Sequence, residues 1–597
     1  MSSLIRKKPP LPQAVGTPQV FLPMVGQDDA KAPMQTPAPS PTAGPSPTPT
    51  PVPTLPTPQQ AARFLSQATL GPTTETLADV QAIGFAKWLD AQRTQPISYT
   101  RPYLDAIRAD LIANDKPQTD LPYARNDKNK SLVVSINFST AWMRNVVFGK
   151  DVLRQRVAWA LSQIMVASFR NDNLLNRSGI AMARYYDTLA HYALGKFEEL
   201  LLAVTLQPTM AHYLSSLGNQ KADPSINRSP DENYAREVMQ LFTIGLWELQ
   251  ANGEQTLDAK KAPIPTYDNK DVEEFARVFT GLWLEGVPLP NDDARGYNHN
   301  ELTDRNLVML EDRHDRDAKT LFHGKAWETK LPAGSSGLKD IGGAIRALVN
   351  HPNAPPFICK SLIKFLVTSN PSPAYVKRVA DVFVNNGQGV RGDLFAIAKA
   401  ILLDADARGD QTLNDPKFGR LHEPMVRVTR LVRAFNAGKN TPDLQYWATS
   451  LNRGGDADAL GEWPMYSPSV FNFFSPNYRH LGVIAQNGLG SPEFQILNSV
   501  TSATLGNQLA AYIDTVLHER LAGGTPRFEF DFAKEIALAN TPDALVAHLD
   551  LFMCNGQMSA TTRQKILDGV VKLANATERV KFAVWLAAVS ADGAVQR

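Results

Sequence analysis

The stretch Ser229-Pro230-Asp231-Glu232-Asn233-Tyr234-Ala235-Arg236-Glu237-Val238-Met239-Gln240-Leu241-Phe242-Thr243-Ile244-Gly245 holds the densest set of side chains able to do chemistry. Ser229 with Glu232 three residues on spells a capping box, and Pro230 suits the first position of a helix. Asp231 and Glu232 then face the positive end of the helix dipole. Helical spacing puts Tyr234, Val238, Leu241, Phe242 and Gly245 on one inward face, with Glu237 on its border and Asn233 one turn below. Glu232 and Arg236, four apart, make a pair on the other side. Cap, dipole complement, ion pair and core stripe explain much of this on architectural grounds alone. The excess is density: Asp231, Glu232, Asn233, Arg236 and Glu237 crowd five polar groups into two turns. A half-buried carboxylate beside Arg and Asn is how a general base or a metal ligand is held and tuned.

A second group is His314-Asp315 with Lys319, inside a long polar insertion. His beside Asp can bind metal or relay protons, although neighbouring residues need not point the same way and no His-x-x-x-His or Glu-x-x-His pattern accompanies them. His351-Pro352 reads first as a helix opening, and Glu423 in His422-Glu423-Pro424 as a dipole partner for the helix that follows. The Pro-bounded, aromatic-rich loop Tyr466 to Pro476 reads as a plug for the core rather than a pocket wall. No Gly-x-Ser-x-Gly elbow, phosphate-binding Gly-x-x-x-x-Gly-Lys-Ser/Thr loop or His-Glu-x-x-His is present. Metal dependence and cofactor stay open.

The elements that must position these groups are helices. Apolar residues at three- and four-residue spacing predict helices over Thr74 to Gln92, Leu153 to Ser168, Ala181 to Leu194, Asp231 to Leu246, Lys270 to Gly281, Leu338 to Asn350, Phe357 to Val367, Pro424 to Asn436 and Pro492 to Leu517, among others. Alternating strand patterns are scarce, Arg527 to Phe532 being the clearest. The fold class is therefore mainly α: a large multi-helix region with long irregular insertions, Leu249 to Tyr267 and Gly286 to Lys330, and little β.

Ahead of it, 11 of the 30 residues from Lys31 to Gln60 are Pro, the rest mainly Thr, Ala, Ser and Gln, which cannot build a core. This divides the chain into a disordered arm, 1–58, and one large helical domain, 59–597, with a C-terminal helical subdomain from about residue 492 as the variant. Lys+Arg 61 against Asp+Glu 59 gives no electrostatic reason for a nucleic-acid partner. Two cysteines, Cys359 and Cys554, cannot make a disulfide framework, and no apolar run is long enough to span a membrane. Arg6, Lys7 and Lys8 look like the basic start of a signal peptide, but Pro9, Pro10 and Pro12 follow and the patch Val20 to Val25 holds Pro23, a poor match.

Arg63-Phe64-Leu65-Ser66-Gln67-Ala68-Thr69-Leu70-Gly71-Pro72-Thr73, the Asp231 to Gly245 segment, His314-Asp315 with Lys319, His351-Pro352 and Arg420 to Pro424 together resemble the bacterial family called domain of unknown function 1800, over nearly the whole chain after the arm. The resemblance implies a helical, often exported protein whose genes often lie beside those of a sulfatase-like family. It supplies no reaction. The expected setting is extracytoplasmic, with the cytoplasm left open, and the expected partners are a sulfatase-like protein or an extracytoplasmic polymer. Two readings follow. One is a hydrolase or lyase acting on a polymer through acid–base carboxylates. Glu237 is then base or metal ligand, Arg236 and Asn233 orient substrate, Asp231 and Glu232 complete the charged helix start, and His314, Asp315 and Lys319 close the site. The other is a non-catalytic scaffold that binds a partner protein or glycan.

Overall fold

A computed structural model describes residues 55–114, 126–127, 130–131, 133–289, 297–437, 456–515 and 530–597. The proline-rich arm up to residue 54 and the first half of the Arg527 to Phe532 pattern lie outside them. The described residues are mainly α, and their strands form only two-stranded antiparallel pairs.

The first helix, Pro58–Ala68, begins on a capping box in which Thr57 and Gln60 trade side-chain and backbone hydrogen bonds, with Pro58 at the first position. Its Arg63, buried, donates to the carbonyl of Arg597 (2.9 Å) and to Thr412 (2.6 Å), so the start of the fold grips its end. The strand Arg420–Leu421 pairs with Val595–Gln596 and tightens the same closure.

Two helices are buried along their whole length, Val152–Ile164 and Pro424–Ala434. Helices buried all round normally carry apolar residues, yet these contain five arginines. Each guanidinium meets a carbonyl in the last turn of another helix, where backbone acceptors have no partner within the helix. Arg154 reaches Ala190 and His191, at the end of Gly179–Tyr192. Arg156 reaches Phe365 in Ala354–Leu366, and Arg427 reaches Ala588 in Ala576–Val589. Arg430 takes Phe552 and Met553 of Pro542–Met553, and Arg433 takes Val146 of Ser135–Phe148. A cation at the negative end of a helix dipole is favourable there, which offsets part of its desolvation. Burial still pulls Arg156, Arg427, Arg430 and Arg433 down to about 10. Arg433 also donates to Gly71, whose φ of +133° lets the backbone pass so close that a Cβ there would lie 2.6 Å from the Arg430 Cα.

The same core holds three acids. Glu423 is not a free dipole partner but a fully buried carboxylate that accepts from Arg420, Trp159 (2.5 Å) and Gln163 (2.9 Å). Arg420 also bridges Glu493 at 2.8 Å. Burial raises Glu423, but Arg420 and Arg156 more than reverse it and hold it below the usual carboxylate range. Glu462, with one backbone donor from Met425 at 2.9 Å, is pushed far up by burial and by the Glu423 charge. Both cysteines are free and buried.

Several expected elements differ. The span from Thr74 to Gln92 is two helices, Thr74–Ile83 and Phe85–Arg93, because Gly84 at φ +78° ends one and starts the next. Pro492 to Leu517 splits into a short turn, Pro492–Gln495, and Ser499–Thr515. Phe530 and Phe532 are not in a strand; their rings pack on Phe435 at 6.5 and 5.3 Å. The insertions are not irregular throughout. Trp247–Pro265, Leu249–Gln255 and Leu257–Pro263 bridge the first into a ladder. The second supplies Leu307–Met309, paired with Leu282–Leu284, and the hairpin Lys319–Leu321 with Thr329–Leu331. In the Tyr466 to Pro476 loop Phe473 and Phe474 are buried, as the plug reading expects, while Phe471 is exposed.

Candidate functional site

The helix carrying the densest charge runs Asn233–Gln240, shorter than Asp231 to Leu246 and without the capping box at Ser229. Asn219 explains the later start and the missing box. Its side chain accepts from the Asp231 N–H (2.8 Å) and donates to the Asp231 carbonyl (3.2 Å), fixing the chain just before the helix. The Asp231 carboxylate then accepts from the Asn233 N–H at 2.8 Å and takes the role expected of Ser229. At the other end Gly245, at φ +74°, donates to Met239, and a Cβ there would sit 2.7 Å from the Phe357 ring. Of the expected inward face Tyr234, Val238, Phe242 and Gly245 are buried, with Tyr234 bonded to Thr205 at 2.7 Å, while Leu241 is half-buried.

The five polar groups divide sharply. Asp231 and Asn233 are exposed, and Glu232 pairs with Arg236 at 2.9 Å with both side chains 43% exposed. Such a pair adds little to stability. Glu237 is only 7% exposed, and its Oε2 is buried with no hydrogen-bond donor. Burial therefore raises its carboxyl, and the neighbouring Arg236 charge only partly opposes this.

Two tyrosines feel that carboxyl. Tyr213 ends the Pro208–Tyr213 helix and is lifted to about 12 by burial, then by the charges of Asp172 and Glu237. Tyr267, just before the Asn269–Val278 helix, is lifted to about 12 by burial, with Glu237 adding and Arg236 opposing; its hydroxyl is buried without a partner. Beside Tyr213, the buried His212 bridges Asp172 (2.9 Å) and the Tyr297 hydroxyl (2.7 Å). Burial raises Asp172, but His212 and the N–H groups of Leu174 and Leu175 outweigh it and keep the carboxyl below its usual value.

His314, Asp315 and Lys319 do come together, around a fourth residue. Lys319 Nζ lies 2.7 Å and His314 Nε2 3.3 Å from the same oxygen of Asp340, Oδ2, and all three side chains are at most 2% exposed. His314 Nδ1 faces the Thr280 carbonyl at 2.9 Å. Asp315 turns away from its neighbour and takes Arg277 in a two-pronged pair at 2.8 and 3.0 Å. Burial raises Asp340, but His314 and Lys319 overcome it and hold the carboxylate ionised. Tyr267 precedes the first turn of Asn269–Val278 and Thr280 follows its last. Among the described residues no hydrogen bond or ion pair joins the Asp340 cluster to Glu237.

No motif in the sequence marks Tyr213, Tyr267, His212, Asp172 or Asp340. Asp340 had a visible signal, an acid in helical register with Ala344 and Ala347 on a buried face. Tyr213 and Tyr267 meet the Glu237 charge, and His212 meets Asp172 and Tyr297, only through tertiary folding. No group of three or more His, Cys, Asp or Glu among the described residues could hold a metal ion, and no described helix is long and apolar enough to cross a membrane.

Over residues 63–592 the chain matches a family described as "Protein of unknown function (DUF1800)". No curated protein and no solved structure matches it.

Proposed function

We propose that this chain, which belongs to the DUF1800 family, is an acid–base catalyst, a hydrolase or lyase acting on an extracytoplasmic polymer, with Glu237 as its proton-transfer group. One observation carries the reading: a carboxyl 7% exposed whose buried oxygen has no donor. A structural glutamate in that position would be expected to have found a partner, because leaving one unsatisfied costs about 1–3 kcal/mol. A raised carboxyl holds its proton nearer to neutral pH, as a general acid must, and can take one back as a base in a second step. The unpartnered Tyr267 hydroxyl is placed to donate to charge that develops on a substrate oxygen. Arg236, half tied to Glu232, remains near enough to act on both Glu237 and Tyr267 and supplies fixed positive charge. Asn233, exposed one turn before Glu237, orients the polymer, while Asp231 fixes the helix start.

The test has two arms. The infrared difference between wild type and Glu237→Gln shows a protonated-carboxyl band that persists to higher pH than exposed glutamates allow. In a panel of extracellular polysaccharides and peptidoglycan, a cleavage seen with wild type falls about 10²–10⁴-fold in Glu237→Gln, the usual contribution of a general acid or base. A variant as active as wild type, or no such band, removes Glu237 from the chemistry.

The scaffold reading draws on a different observation. Leu481 is 85% and Val483 73% exposed, two apolar side chains in one short segment where a partner could seat.

A further inference from the structure

A cleft of about 320 Å³ opens between the strand Thr329–Leu331 and the helix Gly337–Asn350. It shares no lining residue with the surroundings of Glu237 and does not rest on the catalytic reading. We infer that this cleft binds an acidic saccharide, with Asp340 accepting from a ring hydroxyl, Trp327 providing an aromatic wall and Lys330, Lys339 and Arg346 receiving the anionic substituent.

Asp340 is the one acid among the cleft residues and is 2% exposed. Lys319 and His314 both hold Oδ2 from behind. Oδ1 has no donor among the described residues, so an ionised, rigidly held acceptor is left for whatever enters. Because Lys319 already compensates the Asp340 charge, a neutral hydroxyl donor suffices and a cationic ligand gains little. Trp327 lines the same space, and its indole N–H is buried without an acceptor. An indole face suits the C–H side of a sugar ring.

The mouth is cationic. Lys330 and Arg346 are only loosely paired, each 3.4 Å from a glutamate, and no carboxylate lies within ion-pair distance of Lys339 among the described residues. Three cations around a floor whose one carboxylate is already matched by Lys319 favour an anionic ligand whose charge sits away from its hydroxyl end. A uronic-acid or sulfated ring carries these features together: hydroxyl donor, apolar ring face and anionic group. The volume is at the small end of ligand sites, enough for a short segment of such a chain.

Calorimetric titration of the full chain with an oligouronate, a sulfated oligosaccharide and a neutral oligosaccharide of equal length tests the assignment, with a zwitterionic dipeptide as a further arm. At least one acidic saccharide binds, the neutral one binds at least about tenfold more weakly, and added salt narrows the gap. Trp327→Ala and the exposed pair Lys330→Ala/Lys339→Ala each weaken acidic-saccharide binding by about tenfold or more while circular dichroism stays unchanged. Failure of both acidic saccharides to bind overturns the inference, as do equal affinity for the neutral chain, stronger binding of the dipeptide, or binding unmoved in both variants.

Discussion

His351 is fully buried between the rings of Phe322 and Trp327, at 5.0 and 4.8 Å. Its Nδ1 accepts from the Asn353 N–H at 3.0 Å, so Nε2 carries the proton, and Nε2 has no acceptor. Burial, with the Lys325 charge adding, pushes its pKa from 6.5 down to about 3. The folded protein therefore refuses a proton that the unfolded chain accepts near 6.5. The sign is fixed: the stability tied to neutral His351 is complete above 6.5 and is lost as pH falls toward about 3. At about 1.36 kcal/mol per pH unit the full gap is about 5 kcal/mol, of which about 2 kcal/mol is reached by a pH of about 5. His351→Gln loses the Nδ1 acceptor at every pH but does not titrate. Urea unfolding of both proteins at pH about 7.5 and about 5, at one ionic strength, isolates the effect. The advantage of wild type over His351→Gln should shrink by about 2 kcal/mol at the lower pH. A difference constant within about 0.5 kcal/mol would mean that the folded protein protonates this ring as readily as the unfolded chain does, and the reasoning from burial would fail.

Other outcomes follow from the same physics. Arg420→Met strands Glu423 and Glu493 in the core and should lower unfolding stability by about 3–5 kcal/mol. Arg420→Lys, unable to serve both acids and the Phe365 carbonyl at once, should recover only part of that in the same denaturation assay. Asp187 runs opposite to His351. Burial outweighs its bonds from the Thr100 and Arg101 N–H groups and raises it from 3.8 to about 6. Its contribution is present at low pH and lost as pH climbs through about 6. Wild type should thus fall by about 2 kcal/mol relative to Asp187→Asn between pH about 4 and about 7, read by urea midpoints.

Helices were legible where an apolar stripe ran unbroken, as in Lys270 to Gly281 against the observed Asn269–Val278. The stripe misleads where a single residue or a distant one intervenes. Gly84 cuts one stripe in two, and its effect depends on a backbone angle that the pattern does not encode. The capping box at Ser229 obeyed every local rule and still lost to Asn219, which reaches Asp231 from another part of the chain. For the site, helical period alone marked Glu237 as the acid at the edge of a buried face, and it is the one left without a donor. Its tyrosine neighbours come from a preceding helix and a following loop, so no spacing announces them. His314 and Asp315 looked like partners because they are adjacent. Alternating directions along the backbone send one to Asp340 and the other to Arg277.

The arginines of the two innermost helices have a consequence for how the molecule can be dismantled. Each ties down the tail of a different neighbour, so five outer segments are wired to one pair of rods. Peeling away any of them takes a carbonyl acceptor from a buried guanidinium, a loss added to that of the segment's own contacts. Trimming, permuting or exchanging a segment with a homologue is tolerated only if a carbonyl returns to the same spot. The body of the protein should therefore withstand a nick in its loops yet yield no smaller piece that survives by itself.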